Sequence, residues 1–316
     1  MSGLSLSYNI LFGIIQGILL LILAPLVSGL CRKIVARLQQ RIGPPITQPF
    51  RDIRKLWSKE SESRPKVHTW IYTATPVFFL SCVIFLASIT PVFINLSNPL
   101  ADIILIIYIF ALIRFLLSIC AFDTGSPMAV AGAWRENTIA VIIEILMLSA
   151  LFIPALECGS TNLYIMVEYV YKNWPTLWSR PSYITGALVF FVCMLIESGT
   201  LPFDIAEAEQ EIQEGLLQEY SGRLYAVMKF SHMIKNLVIF TIFIDVYMPF
   251  GIAFVPILSD ILVGALAYLA KLLVLTIVIS LIMISKARLR LVDLHKSLTF
   301  LFIFTIFAFV CYFIGW

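Results

Sequence analysis

The sequence predicts an all-α fold, a polytopic membrane protein with about eight transmembrane helices. Three observations predict it. Apolar runs of about 20 residues recur from end to end, long enough at 1.5 Å per residue to cross roughly 30 Å of hydrocarbon. Mean hydropathy is +0.95, with 60% apolar and 13% charged residues, whereas a soluble domain needs a charged surface. The charges collect between the runs, in alternate loops. The longest polar stretch, 32–68, is too short for a core of its own, so 1–316 reads as a single integral membrane domain.

The spans fall at roughly 8–31, 69–94, 101–122, 138–157, 183–200, 227–248, 257–284 and 298–316. The first lacks a basic n-region and is too long for the h-region of a cleaved signal, so it is expected to stay as a helix. Pro76 and Pro91 lie inside or at the end of the second, where neighbouring helices can accommodate them. Loops after odd-numbered spans hold ten Lys/Arg in 32–66, then Arg135, then Arg223 with Lys229, then Lys286, Arg288, Arg290 and Lys296. Loops after even-numbered spans hold only Lys172 and Arg180. The positive-inside rule therefore places the odd loops in the cytoplasm, the large ones following the first and fifth helices, and both termini outside.

The first loop reads "RKIVARLQQRIGPPITQPFRDIRKLWSKES". A basic helix up to Arg41 is expected to stop at Gly43-Pro44-Pro45. "PFRDIRKLW" can restart as an interfacial amphipathic helix, with Phe50, Ile53 and Leu56/Trp57 on one face. Its cations either anchor the loop to anionic lipid or form a docking floor for a cytoplasmic partner through Arg37, Arg41, Arg51, Arg54 and Lys55.

Between spans three and four, "FDTGSPMAVAGAWRENT" reads as a linker. Gly125, Ser126 and Pro127 mark a tight turn, and Gly132 with its alanines permits close helix approach. Arg135-Glu136 is placed at the membrane edge, as an interfacial ion pair.

After the fifth span, "ESGTLPFDIAEAEQEIQEGLLQEYSG" (197–222) carries seven carboxylates and no Lys or Arg. Pro202 is expected to break the fifth helix, and Asp204 with Glu207 to cap a new one. On a helical wheel Asp204, Glu207, Glu211 and Glu214 share one stripe. Ile205, Ala208, Ile212 and Leu216 form the apolar stripe, with Glu219 inside it and Glu209 at its border. A solvated face accounts for the first four but not for Glu209 and Glu219. A carboxylate held between apolar surface and other carboxylates has its pKa raised and can exchange protons near neutrality.

Inside the spans lie Arg114, Glu144, Glu197, Lys235, Asp245 and Lys271. Ionisable groups in hydrocarbon pair with one another or line a polar path. Static pairing is one reading. The other joins Glu144, Glu197 and the acids of 204–219 into a proton relay from the cytoplasm to mid-membrane.

Cofactor chemistry is not expected in this chain. The six cysteines, at 31, 82, 120, 158, 193 and 311, are scattered without a CxxC and read as packing residues. His68, His232 and His295 lie far apart; haem ligation by His232 is conceivable, an interface histidine the plainer reading. No Walker A, GxGxxG or hydrolase signature occurs, and no nucleic-acid partner is expected.

Three of these stretches together resemble a known family. "ARLQQRIGPPITQPFRDIRKLWSKE", "DTGSPMAVAGAWRE" and "IESGTLPFDIAEAEQEIQEGLLQEYSG" are similar to the complex I membrane subunit that borders the quinone cavity. They look closer still to its counterpart in group 4 membrane-bound nickel–iron (NiFe) hydrogenases of the formate hydrogenlyase type. The resemblance covers nearly the whole chain. It implies a non-catalytic heel subunit in the cell inner membrane, joining a peripheral arm on the cytoplasmic side to antiporter-like membrane subunits. The NiFe centre and iron–sulfur clusters would belong to the hydrogenase large and small subunits and the iron–sulfur subunits of that arm. By the same resemblance Glu144, Glu197, Asp204, Glu207, Glu209, Glu211 and Glu214 stand where the family's proton-path acids are expected.

One departure separates the branches. Complex I relatives carry an arginine two residues before Pro-Phe-Asp, at the mouth of the quinone chamber; here that position is Thr200, followed by Leu201. The loop likewise continues as Pro45-Ile46-Thr47 without the basic, glycine-containing segment of quinone-reducing relatives. Both features favour the hydrogenase branch over a quinone-chamber subunit. An autonomous secondary transporter is the remaining alternative, disfavoured because only Pro202 offers a strong helix break and no repeat is visible.

Overall fold

A computed structural model of the chain describes residues 2–61, 70–96, 98–204, 215–289 and 291–315. Among the described residues ten α-helices follow in order: α1 Ser2–Leu38, α2 Gln48–Trp57, α3 Trp70–Ile89, α4 Ile103–Thr124, α5 Pro127–Cys158, α6 Leu163–Leu177, α7 Pro181–Glu197, α8 Gly222–Tyr247, α9 Leu258–Ser285 and α10 Leu291–Ile314. No strand occurs among the described residues; two isolated bridges, Ile94 with Ala253 and Asp102 with Asn162, link loops. Seven helices are long and apolar enough to cross a membrane, and α7 is an apolar helix of 17 residues. The polytopic all-α fold is thus the one that composition predicts.

Helix α8 is the axis of the bundle. It packs against α1, α2, α3, α6, α7 and α9. Every residue from Leu237 to Tyr247 is buried, as expected of a helix that is apolar all round. Helices α9 and α10 lie outside, with Leu266, Val274, Phe300 and Phe307 exposed. Such surface suits lipid or a neighbouring membrane subunit.

One end of the bundle gathers the segments 39–61, 125–126, 198–204, 215–221 and 286–289. Two glycines permit it. A side chain on Gly29 of α1 would strike the carbonyl of Ile46, and one on Gly222, at φ +53°, would strike that of Glu60. Leu289 donates its N–H to the Pro202 carbonyl at 3.0 Å. Tyr220 lies stacked on Tyr72 at 4.5 Å, its hydroxyl 2.8 Å from Cys120 Sγ, while the Tyr72 hydroxyl donates to the Glu219 carbonyl at 2.7 Å. Burial pushes the Tyr220 phenol pKa far up, so it stays a neutral donor. The opposite end is stapled by N-cap residues. Asp102 accepts from Ile104 N–H at 2.8 Å and Asn162 from Tyr164 N–H at 3.0 Å.

Several expectations need correction. The fourth span begins at Pro127, not near 138, because Gly125 (φ +63°) ends α4 and Pro127 opens α5 at once. The supposed linker is therefore the first turns of α5, with Ala129, Gly132 and Ala133 buried. The fifth span stops at Glu197, five residues before Pro202; Gly199, in the left-handed region at φ +61°, ends it first. Helix α6 was read as loop, although Leu163, Met166, Val167 and Val170 bury one helical face. Helix α2 forms as expected, but Pro49 is buried and Ile53 and Leu56 half-buried, while Phe50 and Trp57 stay exposed. The apolar face is thus only partly covered by the protein.

Candidate functional site: a buried ion cluster between two cavities

Arg114 sits midway along α4 and is buried, so its guanidinium needs partners from the protein. Three carboxylates from two other helices answer it. Its Nη1 donates to Glu144 Oε1 of α5 at 2.6 Å, its Nη2 to Glu197 Oε2 of α7, and Glu136 Oε1 of α5 lies 3.9 Å from its Nε. Lys235 of α8 donates to Glu197 twice, to Oε1 at 3.2 Å and to the backbone carbonyl at 3.1 Å. Asn236 Nδ2 holds the Ser198 carbonyl at 3.1 Å, fixing the end of α7 against α8. The cluster thus sets two cations against three carboxylates, each cation engaged by charge-assisted bonds.

Glu144 and Glu197, read as relay acids, and Arg114 and Lys235, read as intramembrane charges, are therefore one constellation. Glu136, expected only at the membrane edge beside Arg135, also faces this cluster. Asp245 and Lys271 lie elsewhere, at the other end of α8. Asp204 pairs with Arg288 at 2.5 Å, a bond not anticipated across 84 residues. Glu219 occupies a turn after a single 3₁₀ turn, Gly215–Leu217, so the α-helical wheel that put it in the apolar stripe does not reach it. Glu207, Glu209, Glu211 and Glu214, and His68 in the first loop, lie outside the described residues.

One cavity opens on this cluster and a second lies beside it. The smaller, about 70 Å³, has room for a few water molecules and is lined by Arg114, Glu136, Glu197, His232 and Lys235. The larger, about 640 Å³, runs between α1, α8 and the 198–204 segment, past Arg32, Arg41, Lys229 and Thr200. Gly199, Asp204, Leu217 and His232 line both. The large cavity at the basic loops thus adjoins the small one that reaches Glu197, with Asp204 and His232 as the polar residues common to both. Thr200 presents no charge there, its hydroxyl donating back to the Leu195 carbonyl at 3.2 Å. His232 is three residues from Lys235 on α8, a helical spacing from which their shared face was legible. Arg37, Arg41, Arg51, Arg54 and Lys55 are all exposed on the same end of the molecule.

A helical membrane bundle with a paired ion cluster facing a cavity at its loop-rich end is the class this geometry defines. The chain belongs to the NADH dehydrogenase family, whose profile matches residues 10–314. It is 38% identical over 306 residues to formate hydrogenlyase subunit 4 of Escherichia coli (strain K12), covering 96% of this chain and 98% of that protein. It is 36% identical to hydrogenase-4 component C of the same organism, covering 91% of each. Identity to NADH-quinone oxidoreductase subunit 8 of Rhodothermus marinus is 27%, over 76% of each. A subunit of the membrane-bound sulfane sulfur reductase, an archaeal respiratory membrane complex, shares the fold at a TM-score of 0.79 and 22% identity, with 96% of this chain and 99% of that chain covered. The chain is accordingly a multi-pass, non-catalytic membrane subunit of a respiratory-type complex.

Proposed function

We propose that this chain is the heel subunit of a formate-hydrogenlyase-like, energy-converting NiFe-hydrogenase complex. It holds a peripheral hydrogenase arm against antiporter-like membrane subunits and couples proton reduction to proton movement. The observation that carries the reading is 38% identity along 96% of the chain to formate hydrogenlyase subunit 4. The exposed cations of α1 and α2 form the docking floor for the arm, whose large, small and iron–sulfur subunits hold the NiFe centre and clusters. The basic end faces the cytoplasm of a cell inner membrane and both termini face outward, as the positive-inside rule requires.

Protons enter through the large cavity, pass Asp204 and His232, and reach Glu197, whose bonds to Arg114 and Lys235 reset as it titrates. The acids of 204–219 are assigned to the same relay. A quinone-chamber role, the alternative, is favoured by the size of the 640 Å³ cavity and disfavoured by the uncharged Thr200. Tagging the chain in its own cell and purifying it in mild detergent tests the reading. Co-purifying nickel and an iron–sulfur protein is expected; a quinone-reductase arm, or the chain alone, would contradict it.

A further inference from the structure

Asp245 stands two residues before the end of α8, at the opposite pole from the Arg114 cluster. Lys235 and Asp245 are ten residues apart on α8, about 15 Å along the axis. Asp245 is 0% exposed, and neither carboxyl oxygen has a hydrogen-bond donor. Donors are close, yet each is turned away. Lys271 of α9 donates to the carbonyls of Met248 and Phe250 at 2.9 and 3.0 Å and lies 5.3 Å from the Phe250 ring centroid. The Tyr268 hydroxyl, one turn before Lys271, is engaged with Thr241 at 2.8 Å, and Thr241 is one turn before Asp245. The titratable and charged groups that face Asp245 are Tyr164 of α6 and Tyr268 and Lys271 of α9.

A carboxylate with no donor inside apolar protein is heavily penalised, and the neutral acid much less so. A purely structural aspartate would take the bonds on offer. An ammonium has three donors and a flexible stem, and two carbonyls occupy Lys271 here, so a turn of that stem would bring a counter-ion onto Asp245. We propose that Asp245 and Lys271 form a second proton-holding site, the exit station of a route through this subunit. Asp245 carries the proton as a neutral acid while Lys271 rests on the two carbonyls. When Lys271 swings onto Asp245, the carboxyl gives its proton to water reaching it past the 248–257 loop, and the two side chains remain as an ion pair. The site is distinct from the Arg114 cluster, which has its counter-ions already in place. This inference rests on the proposed entry of protons at Glu197, and Thr241 with Tyr268 supplies hydroxyls between the two stations.

The test uses the whole complex, as wild type, Asp245→Asn, Asp245→Glu and Glu197→Gln. Infrared difference spectra are expected to show the carbonyl band of a protonated carboxyl free of hydrogen bonds. Asp245→Asn should lose that band. Asp245→Glu should shift it, a reading that holds even where the asparagine variant fails to assemble. In proteoliposomes Asp245→Asn is expected to lose proton movement. An unchanged band in Asp245→Asn, or an unshifted one in Asp245→Glu, would overturn the site. If Glu197→Gln stops proton movement and Asp245→Asn does not, the exit station fails while the entry reading stands. If Glu197→Gln moves protons normally, the entry reading fails, and the band alone then decides the state of Asp245.

Discussion

Arg114 is the residue on which the cluster depends. Its guanidinium offers five donors in a fixed plane, and it engages Glu144 and Glu197 while facing Glu136. Lys235 alone cannot balance three acids. Arg114→Ala is therefore expected to cost about 3–5 kcal/mol, the penalty for leaving buried charge unpaired, and to lower the unfolding temperature of the detergent-solubilised complex. Arg114→Lys should fall between, keeping the charge and losing the fork. An unchanged unfolding temperature for Arg114→Ala would show that the acids are held by something else. At this scale the sequence was half legible. Charges inside apolar runs identify Arg114, Glu144, Glu197 and Lys235 one at a time, because hydrocarbon tolerates them only with partners. Their partnership arises from four helices packing side by side, which spacing along one chain does not encode. The partners of Glu136 and Arg288 were hidden for the same reason, since the first reads as an edge partner of Arg135 and the second as a loop cation.

Among elements, the stretch from the end of α1 through α2 gives the clearest structural argument. Its position depends on the bare backbones of Gly29 and Gly222, against which the loop rests at Ile46 and Glu60. Gly222→Ala adds a methyl at a positive φ and against a carbonyl. It is expected to destabilise by about 1–3 kcal/mol, in the range of overpacking, and to make 39–61 more sensitive to protease. Protease sensitivity equal to wild type would mean that the loop is held elsewhere. The exposed cations of the same stretch give a second prediction. Reversing Arg41, Arg51 and Arg54 to Glu should release the peripheral arm into the soluble fraction while the membrane subunit still inserts, because charge complementarity governs such encounters. An arm that stays bound at ordinary salt would leave the loop a lipid anchor. Helix α2 was legible from its restart after Gly43-Pro44-Pro45. Helix α6 was missed because a short helix at the end of a bundle carries no span-length apolar run, although its buried face repeats with helical spacing. The start of α5 was missed because Gly125-Ser126-Pro127 signals a turn equally well before a loop and before a helix.

Over the whole molecule, the adjacency of a large cavity at the basic loops and a small one at Glu197 sets the functional reading apart from a static bundle. With an uncharged Thr200 at the cavity wall, quinone-site inhibitors of complex I are expected to leave turnover of the purified complex unchanged. Saturable inhibition would restore the quinone alternative. The bundle itself was legible from hydropathy, since membrane spans must satisfy their backbone internally and so be helical. The cavity was not, because it is the space that helices leave where α1, α8 and the 198–204 segment fail to close. The central claim is that Glu197 carries protons and does more than balance Arg114. Its most direct measurement is proton uptake alongside hydrogen evolution in proteoliposomes holding equal amounts of wild-type and Glu197→Gln complex. Glutamine keeps the shape and one acceptor oxygen but cannot titrate. The account predicts an assembled Glu197→Gln complex that has lost proton uptake. Assembly with wild-type rates of both uptake and hydrogen evolution would contradict it.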